Sequence, residues 1–154
     1  MLLRPATPAD LPFLRALYAD TRADELADVG WDDAQLAAFL DLQFEAQRTD
    51  YERRFPSADH EIVLDGPVPV GRIWVHRGSD EIRLLDLAIH SSARNRGIGT
   101  TLIRRLQDEA KAAGLPLRHS VVKENDGALR LYARLGFVII GEIATHHAME
   151  WTPT

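Results

Sequence analysis

The chain has 154 residues, enough for one domain with a core of its own. Hydrophobic residues make up 45% and charged residues 27%, ordinary globular values that argue against disorder. Eighteen Lys and Arg against 23 Asp and Glu leave a net charge of −5, without the basic excess of a nucleic-acid binder, and the absence of cysteine excludes disulfides, cysteine–zinc sites and thiol nucleophiles.

Leu2-Leu3-Arg4 reads as a short strand ending at Pro5. Thr7-Pro8-Ala9-Asp10 reads as a helix start, with Thr7 as cap and Pro8 at the first helical position, where its missing N–H costs nothing. This helix runs to about Arg22 or further. Gly30-Trp31 breaks the pattern, and Asp32 or Asp33 caps a second helix that reaches about Arg53. From Glu61 the pattern turns to strands at 61–64, 68–76 and 81–90, separated by Asp65-Gly66-Pro67 and Gly78-Ser79-Asp80. Short turns between three strands predict an antiparallel meander. Residues 97–113 are helical: Ile98, Leu102, Ile103, Leu106, Ala110 and Ala113 fall within an arc of about 140°, with Arg104, Gln107, Asp108 and Lys111 on the other side. Gly114 stops this helix. A strand at 117–122, a short helix at 128–135 and strands at 137–140 and 144–151 complete the order β-α-α-β-β-β-α-β-α-β-β. One mixed sheet flanked by helices is expected, an α/β (α+β) single domain over residues 1–154.

No apolar run approaches the ~18 residues of a membrane span. Met1-Leu2-Leu3-Arg4-Pro5 has no basic segment followed by an apolar one, so the expected compartment is cytoplasmic, with no membrane and no nucleic acid among the partners. The six histidines form neither a HExxH nor an i, i+4 pair, and no metal site is expected.

The strand Arg83-Leu84-Leu85-Asp86-Leu87-Ala88-Ile89 leads through His90-Ser91-Ser92-Ala93 into Arg94-Asn95-Arg96-Gly97-Ile98-Gly99-Thr100 and an amphipathic helix. A strand, a turn with two glycines and a helix start can hold phosphate: the first helical N–H groups lack intrahelical partners and the positive end of the helix dipole lies there. Gly97 and Gly99 let oxygen atoms approach the backbone, and Arg94 and Arg96 add positive charge at the same place. A dinucleotide fingerprint would need a third glycine at position 102, which is Leu102, and no Gly-Lys-Ser/Thr of a P-loop exists. The pattern left is Arg/Gln-x-x-Gly-x-Gly/Ala, matched by Arg94 to Gly99, with a plain glycine turn as the bland reading.

Beyond the next strand, Asn125-Asp126-Gly127-Ala128-Leu129-Arg130-Leu131-Tyr132-Ala133-Arg134-Leu135-Gly136-Phe137 resembles the N-x-x-A-x-x-x-Y-x-x-x-G-F element of the GNAT superfamily of acyl-CoA-dependent N-acyltransferases. The two elements stand in the family's order, and the resemblance covers residues 84–140, with Arg4 to Asp10 similar to the family's opening. It implies a mostly antiparallel sheet of about six to seven strands with four helices. It implies acetyl-CoA or coenzyme A as co-substrate, bound by backbone groups of Leu87, Ala88 and Ile89 along pantetheine. It places amides of Arg94, Asn95, Arg96, Gly97, Ile98, Gly99 and Thr100 on the pyrophosphate, with Asn125 nearby. Asn125 can equally cap the following helix.

The resemblance makes Tyr132 the general acid for the departing thiolate. A phenol of pKa ~10 donates to a sulfur of pKa ~8.5 only with help from its surroundings, and packing is the bland reading. Some relatives carry a Glu on the strand before the loop; here Asp86 is the only carboxylate there, either salt-bridged to Arg72 or Arg83 or serving the acceptor. The residue or water that takes the amine's proton is left open. In the second helix, Leu36, Phe39, Leu40, Phe44, Ala46 and Tyr51 define an apolar arc with Gln43 and Gln47 near its centre. Either these amides bond loop backbone and pin the helix, or they face an acceptor cleft beside Trp31 and Tyr51. The expected function is transfer of an acetyl group to a primary amine of a small-molecule acceptor, with a homodimer possible. The alternative is a weakly catalytic or non-catalytic acyl-CoA-binding sensor or interaction module.

Overall fold

A computed structural model describes residues 1–154. Its elements follow the expected order: β1 (Leu2–Pro5), α1 (Leu11–Leu26), α2 (Asp33–Arg54), β2 (Asp59–Asp65), β3 (Val68–Arg77), β4 (Ile82–Ile89), α3 (Ile98–Ala113), β5 (Leu117–Val122), α4 (Asp126–Arg134), β6 (Val138–Ile143) and β7 (His146–Trp151). The seven strands lie in the order β1-β2-β3-β4-β5-β7-β6. The two-residue link from β2 to β3 permits only antiparallel neighbours. β1 pairs antiparallel with β2, and β7 does so with both β5 and β6. β4 and β5 run parallel, pairing from Ile82↔Leu117 to Leu84↔His119; the pairs stop there, although β4 continues to Ile89 and β5 to Val122. No helix is long and apolar enough to cross a membrane.

The chain forms two compact units, Met1–Trp74 with Asp86–Arg96, and Val75–Leu85 with Gly97–Thr154. In the first, Leu14, Phe44 and Ile62 are the buried centre, with Leu11, Phe13, Tyr18 and Leu64 packed against them. The start of α1 departs from expectation. Pro8–Asp10 is a 3-10 turn and the α-helix begins at Leu11. Asp10 explains the delay: its buried carboxylate accepts from Arg4 Nη1 and Nη2, each at 2.8 Å, and from the Thr7 N–H at 2.8 Å. α2 starts as expected, with the Asp32 carboxylate accepting from the Gln35 amide at 2.8 Å. Its apolar arc is narrower than the wheel predicts, because Ala46 is exposed. At Gly71 the chain passes so close to β4 that a Cβ would meet the Ala88 carbonyl oxygen at 2.4 Å.

In the second unit Leu102, Ile103, Leu106 and Ala110 of α3 are buried, as are Leu117, Tyr132, Phe137 and Met149. Gln107 corrects the wheel. Expected on the solvated side, it is only 9% exposed and its amide donates to the Leu135 carbonyl at 2.7 Å. That carbonyl follows the last turn of α4, where a helix leaves acceptors unpaired.

Candidate active site

Between β4 and α3 the chain makes a 3-10 turn at Ser91–Ala93 and then two left-handed residues, Asn95 (φ 62°) and Gly97 (φ 76°). The Thr101 amide makes the first helical bond, to the Gly97 carbonyl at 3.0 Å. The amides of residues 95–100 have no acceptor within the protein. A Cβ at Gly99 would touch nothing within 4 Å. Glycine in a helical position costs about 1 kcal/mol relative to alanine, and no contact inside the protein requires it here.

Both arginines of this loop are already engaged. Arg94 donates through Nε to the Ile89 carbonyl at 3.1 Å and lies 3.4 Å from Asp20. Arg96 pairs with Asp65 at 2.9 Å and donates to the Ser92 carbonyl at 3.1 Å. The positive charge expected at the turn is therefore partly neutralised by two carboxylates. Asp20, on α1, also accepts from the Ser91 amide at 2.8 Å and the Ser91 hydroxyl at 2.7 Å. Burial alone would raise its pKa; the two bonds from Ser91, with His90 and Arg94 close by, outweigh that and hold it below the usual carboxylate value.

Leu87, Ala88 and Ile89 are half-buried on the last residues of β4, past the last pair with β5. Asp86 just before them is bonded to Arg72 Nε at 2.6 Å. Arg72 is 3% exposed, and its Nη2 donates to the Gln47 side-chain oxygen at 2.5 Å. One of the two salt-bridge partners considered for Asp86 is thus the one found, and Gln47 bonds a guanidinium rather than loop backbone. Trp74 borders this cluster, with Arg72 over its ring at 5.7 Å, His60 stacked on it at 4.2 Å and Tyr51 edge-on at 5.1 Å. Burial, reinforced by Asp86, pushes the Tyr51 phenol up to about 12. Burial, reinforced by Arg72, lowers His60 to about 4, so the ring is neutral near pH 7.

Trp31 does not join that group. It stands edge-on to Phe39 at 4.9 Å, beside a groove lined by Ala23, Ala27, Leu36 and Leu40. Twenty residues separate Trp31 from Tyr51, nearly all in one helix, which puts them roughly 30 Å apart. Gln43 is half-buried between them. The four residues grouped as one acceptor wall divide into Trp31 at one end of α2 and Gln47 with Tyr51 towards the other.

In the second unit Tyr132 is 5% exposed, its ring 5.0 Å from that of His119 and 5.2 Å from that of Phe137. His119 Nδ1 lies 2.8 Å from the Leu84 carbonyl; since the carbonyl only accepts, Nδ1 carries the proton. Asn125 caps α4, accepting from the Ala128 amide at 3.1 Å. Asp20 and His60 were missed from sequence. For Asp20 one signal existed: it stands three residues after buried Leu17, a carboxylate at the edge of the buried stripe of α1.

A seven-stranded, mostly antiparallel sheet with four helices, and a glycine turn of open amides after β4, make up the GNAT fold. The chain belongs to the acetyltransferase (GNAT) family, whose model matches residues 14–137. Among solved structures it resembles the PaiA N-acetyltransferase of Thermoplasma acidophilum in complex with coenzyme A, at 15% identity and a TM-score of 0.76, covering 99% of this chain and 98% of that one. An acetyltransferase of Thermus thermophilus matches at 21% identity and 0.69, over 99% and 98%. The spermidine N-acetyltransferase of Vibrio cholerae, with CoA and spermine, matches at 18% identity and 0.67, over 98% and 94%.

Proposed function

We propose that this protein, acting as one domain over residues 1–154, transfers an acetyl group from acetyl-CoA directly to a primary amine of a small-molecule acceptor. The observation that carries this reading is the run of six amides at residues 95–100 without acceptors, ending beside a glycine that has space around it. Unpaired amides at the start of a 16-residue helix suit a diphosphate. Family membership supports coenzyme A as the owner of that diphosphate, as do the coenzyme-bound relatives from T. acidophilum and V. cholerae. Asn95, Arg96, Gly97, Ile98, Gly99 and Thr100 contribute these amides; the Arg94 amide is already turned to the Ser91 carbonyl at 3.5 Å. Backbone groups of Leu87, Ala88 and Ile89, past the last β4–β5 pair, serve the pantetheine amides. Asn125 can approach the coenzyme with the half of its amide that the cap leaves over.

The chemistry needs no covalent intermediate on the enzyme. The amine nitrogen attacks the thioester carbonyl, the carbon–sulfur bond breaks, and the thiolate takes a proton from the Tyr132 hydroxyl. The amine's own proton leaves to water or to a side chain. Asp86, fixed by Arg72, together with Gln47 and Tyr51, lines the acceptor side in this reading, with Gln43 one turn before Gln47 on α2; Trp31, roughly 30 Å from Tyr51, stands outside it.

Calorimetry with coenzyme A, followed by a thiol-release assay with acetyl-CoA across a panel of amines, tests the proposal. Micromolar coenzyme affinity and amine-dependent thiol release are expected. Binding without release for any amine would favour the sensor module, and no heat at millimolar coenzyme would overturn the reading.

A further inference from the structure

The loop that carries the six open amides is tied down from one place. Within residues 90–94 four groups converge on the Asp20 carboxylate of α1: the Ser91 amide and hydroxyl, Arg94 Nη2, and His90 Nε2 at 3.6 Å. The His90 ring is oriented for this. Its Nδ1 accepts from the Ser92 amide at 3.1 Å, which in the neutral ring leaves the proton on Nε2, facing Asp20. The side chain of Asp20 is 19% exposed, so its hydrogen bonds from Ser91 and Arg94 and its contact with His90 are partly shielded from water. The other acid–arginine tie of the loop, Asp65–Arg96, is 57% and 52% exposed, a setting in which ion pairs contribute little.

We infer that Asp20 is a positioning residue for coenzyme binding: it holds the 3-10 turn at Ser91–Ala93 and the Arg94 side chain so that the following amides are already aimed when the diphosphate arrives. Arg94 then acts as a strut between Asp20 and the Ile89 carbonyl rather than as a phosphate ligand. This rests on the acyltransferase reading above. An acid close to a diphosphate would otherwise be counterproductive, since its charge repels the ligand. Its place beside the loop is accounted for by ordering, because a loop fixed beforehand spares the binding step the entropy of fixing it.

The two effects have opposite signs, which makes them separable. Calorimetric titration of coenzyme A into the wild type, Asp20→Ala and Asp20→Asn is the test, with acetyl-CoA and acceptor KM measured alongside. Positioning predicts coenzyme affinity about tenfold weaker in Asp20→Ala, acetyl-CoA KM raised in step, and acceptor KM unchanged. Asp20→Asn, whose amide oxygen still accepts from Ser91, should recover affinity to within about threefold of wild type. Ser91→Ala, which removes one tie and leaves α1 untouched, should weaken binding about threefold and serves if Asp20→Ala does not fold. Asp65→Ala, which removes a screened charge without untying the loop, should bind coenzyme as tightly as the wild type or up to about twofold more tightly. Equal or tighter coenzyme binding in Asp20→Ala, with wild-type binding intact, overturns the inference and leaves the acyltransferase reading standing. Loss in Asp20→Asn as deep as in Asp20→Ala overturns it too. No binding by the wild type removes both.

Discussion

Removing the Tyr132 hydroxyl leaves the ring contacts with His119 and Phe137 in place, because those depend on the ring faces and edges alone. Tyr132→Phe therefore separates packing from proton donation. With Tyr132 as general acid, kcat should fall about 100-fold, a typical worth for positioned acid–base catalysis, with acetyl-CoA KM within twofold. The melting temperature should stay within about 3 °C, since a ring this buried keeps its apolar contacts. Steady-state kinetics with any amine that gives thiol release measures the first two. Unchanged kcat in a folded variant would leave Tyr132 as a packing residue only. The sequence spacing from Asn125 to Gly136-Phe137 located this residue; its neighbour His119, thirteen positions earlier on β5, carries no local signal of the contact.

At the scale of elements, the Arg72–Asp86–Gln47 chain fastens β3 to β4 and α2. Asp86→Ala would leave a guanidinium 3% exposed without its counter-charge, a change that costs about 3 kcal/mol. The expected result is a melting temperature roughly 8 °C lower in thermal unfolding. Asp86→Asn retains an acceptor for Arg72 Nε and should lose less than half of that. Activity lost in Asp86→Ala is thus no evidence for a catalytic base; only the asparagine variant can speak to that role. A melting temperature unchanged in Asp86→Ala would mean the pair does not hold these elements together. Most elements were legible because Gly30, Gly66-Pro67, Gly78 and Gly114 punctuate a clear change from helical to strand periodicity. What escaped depends on partners far along the chain. Gln107 is buried because Leu135, 28 residues on, offers a carbonyl. Gln47 finds Arg72 25 residues on, and Asp20 finds Ser91 71 residues on. No periodicity encodes such pairs. The separation of Trp31 from Tyr51 is legible from helix rise alone: twenty residues, nearly all in α2, set them at opposite ends of that helix.

For the molecule as a whole, acidification should act in two stages. His60 is neutral in the folded state with its pKa lowered to about 4, and its buried Nε2 has no partner. The unfolded chain protonates this ring near 6.5, so between about pH 6.5 and 4 the unfolded state binds more protons than the folded one. His60 thus contributes stability that is fully present above pH 6.5 and is lost as the pH falls towards 4. Asp10 lies below the usual carboxylate range chiefly through its hydrogen bonds from Arg4, and Glu81 is lowered because its bonds from Arg83 and Arg118 outweigh burial. Both folded-state values are depressed, so their contribution is present above about pH 4 and disappears below it. Thermal unfolding from pH 8 to 3 should therefore show a plateau, a decline of about 5 °C between pH 6.5 and 4.5, and a steeper fall at lower pH. His60→Phe keeps a flat ring for Trp74 to stack on and has nothing to protonate. Its melting temperature should hold level from pH 8 to about 4.5 and then fall as in the wild type. A variant curve that runs parallel to the wild type between pH 6.5 and 4.5 would show that the first stage arises from another group.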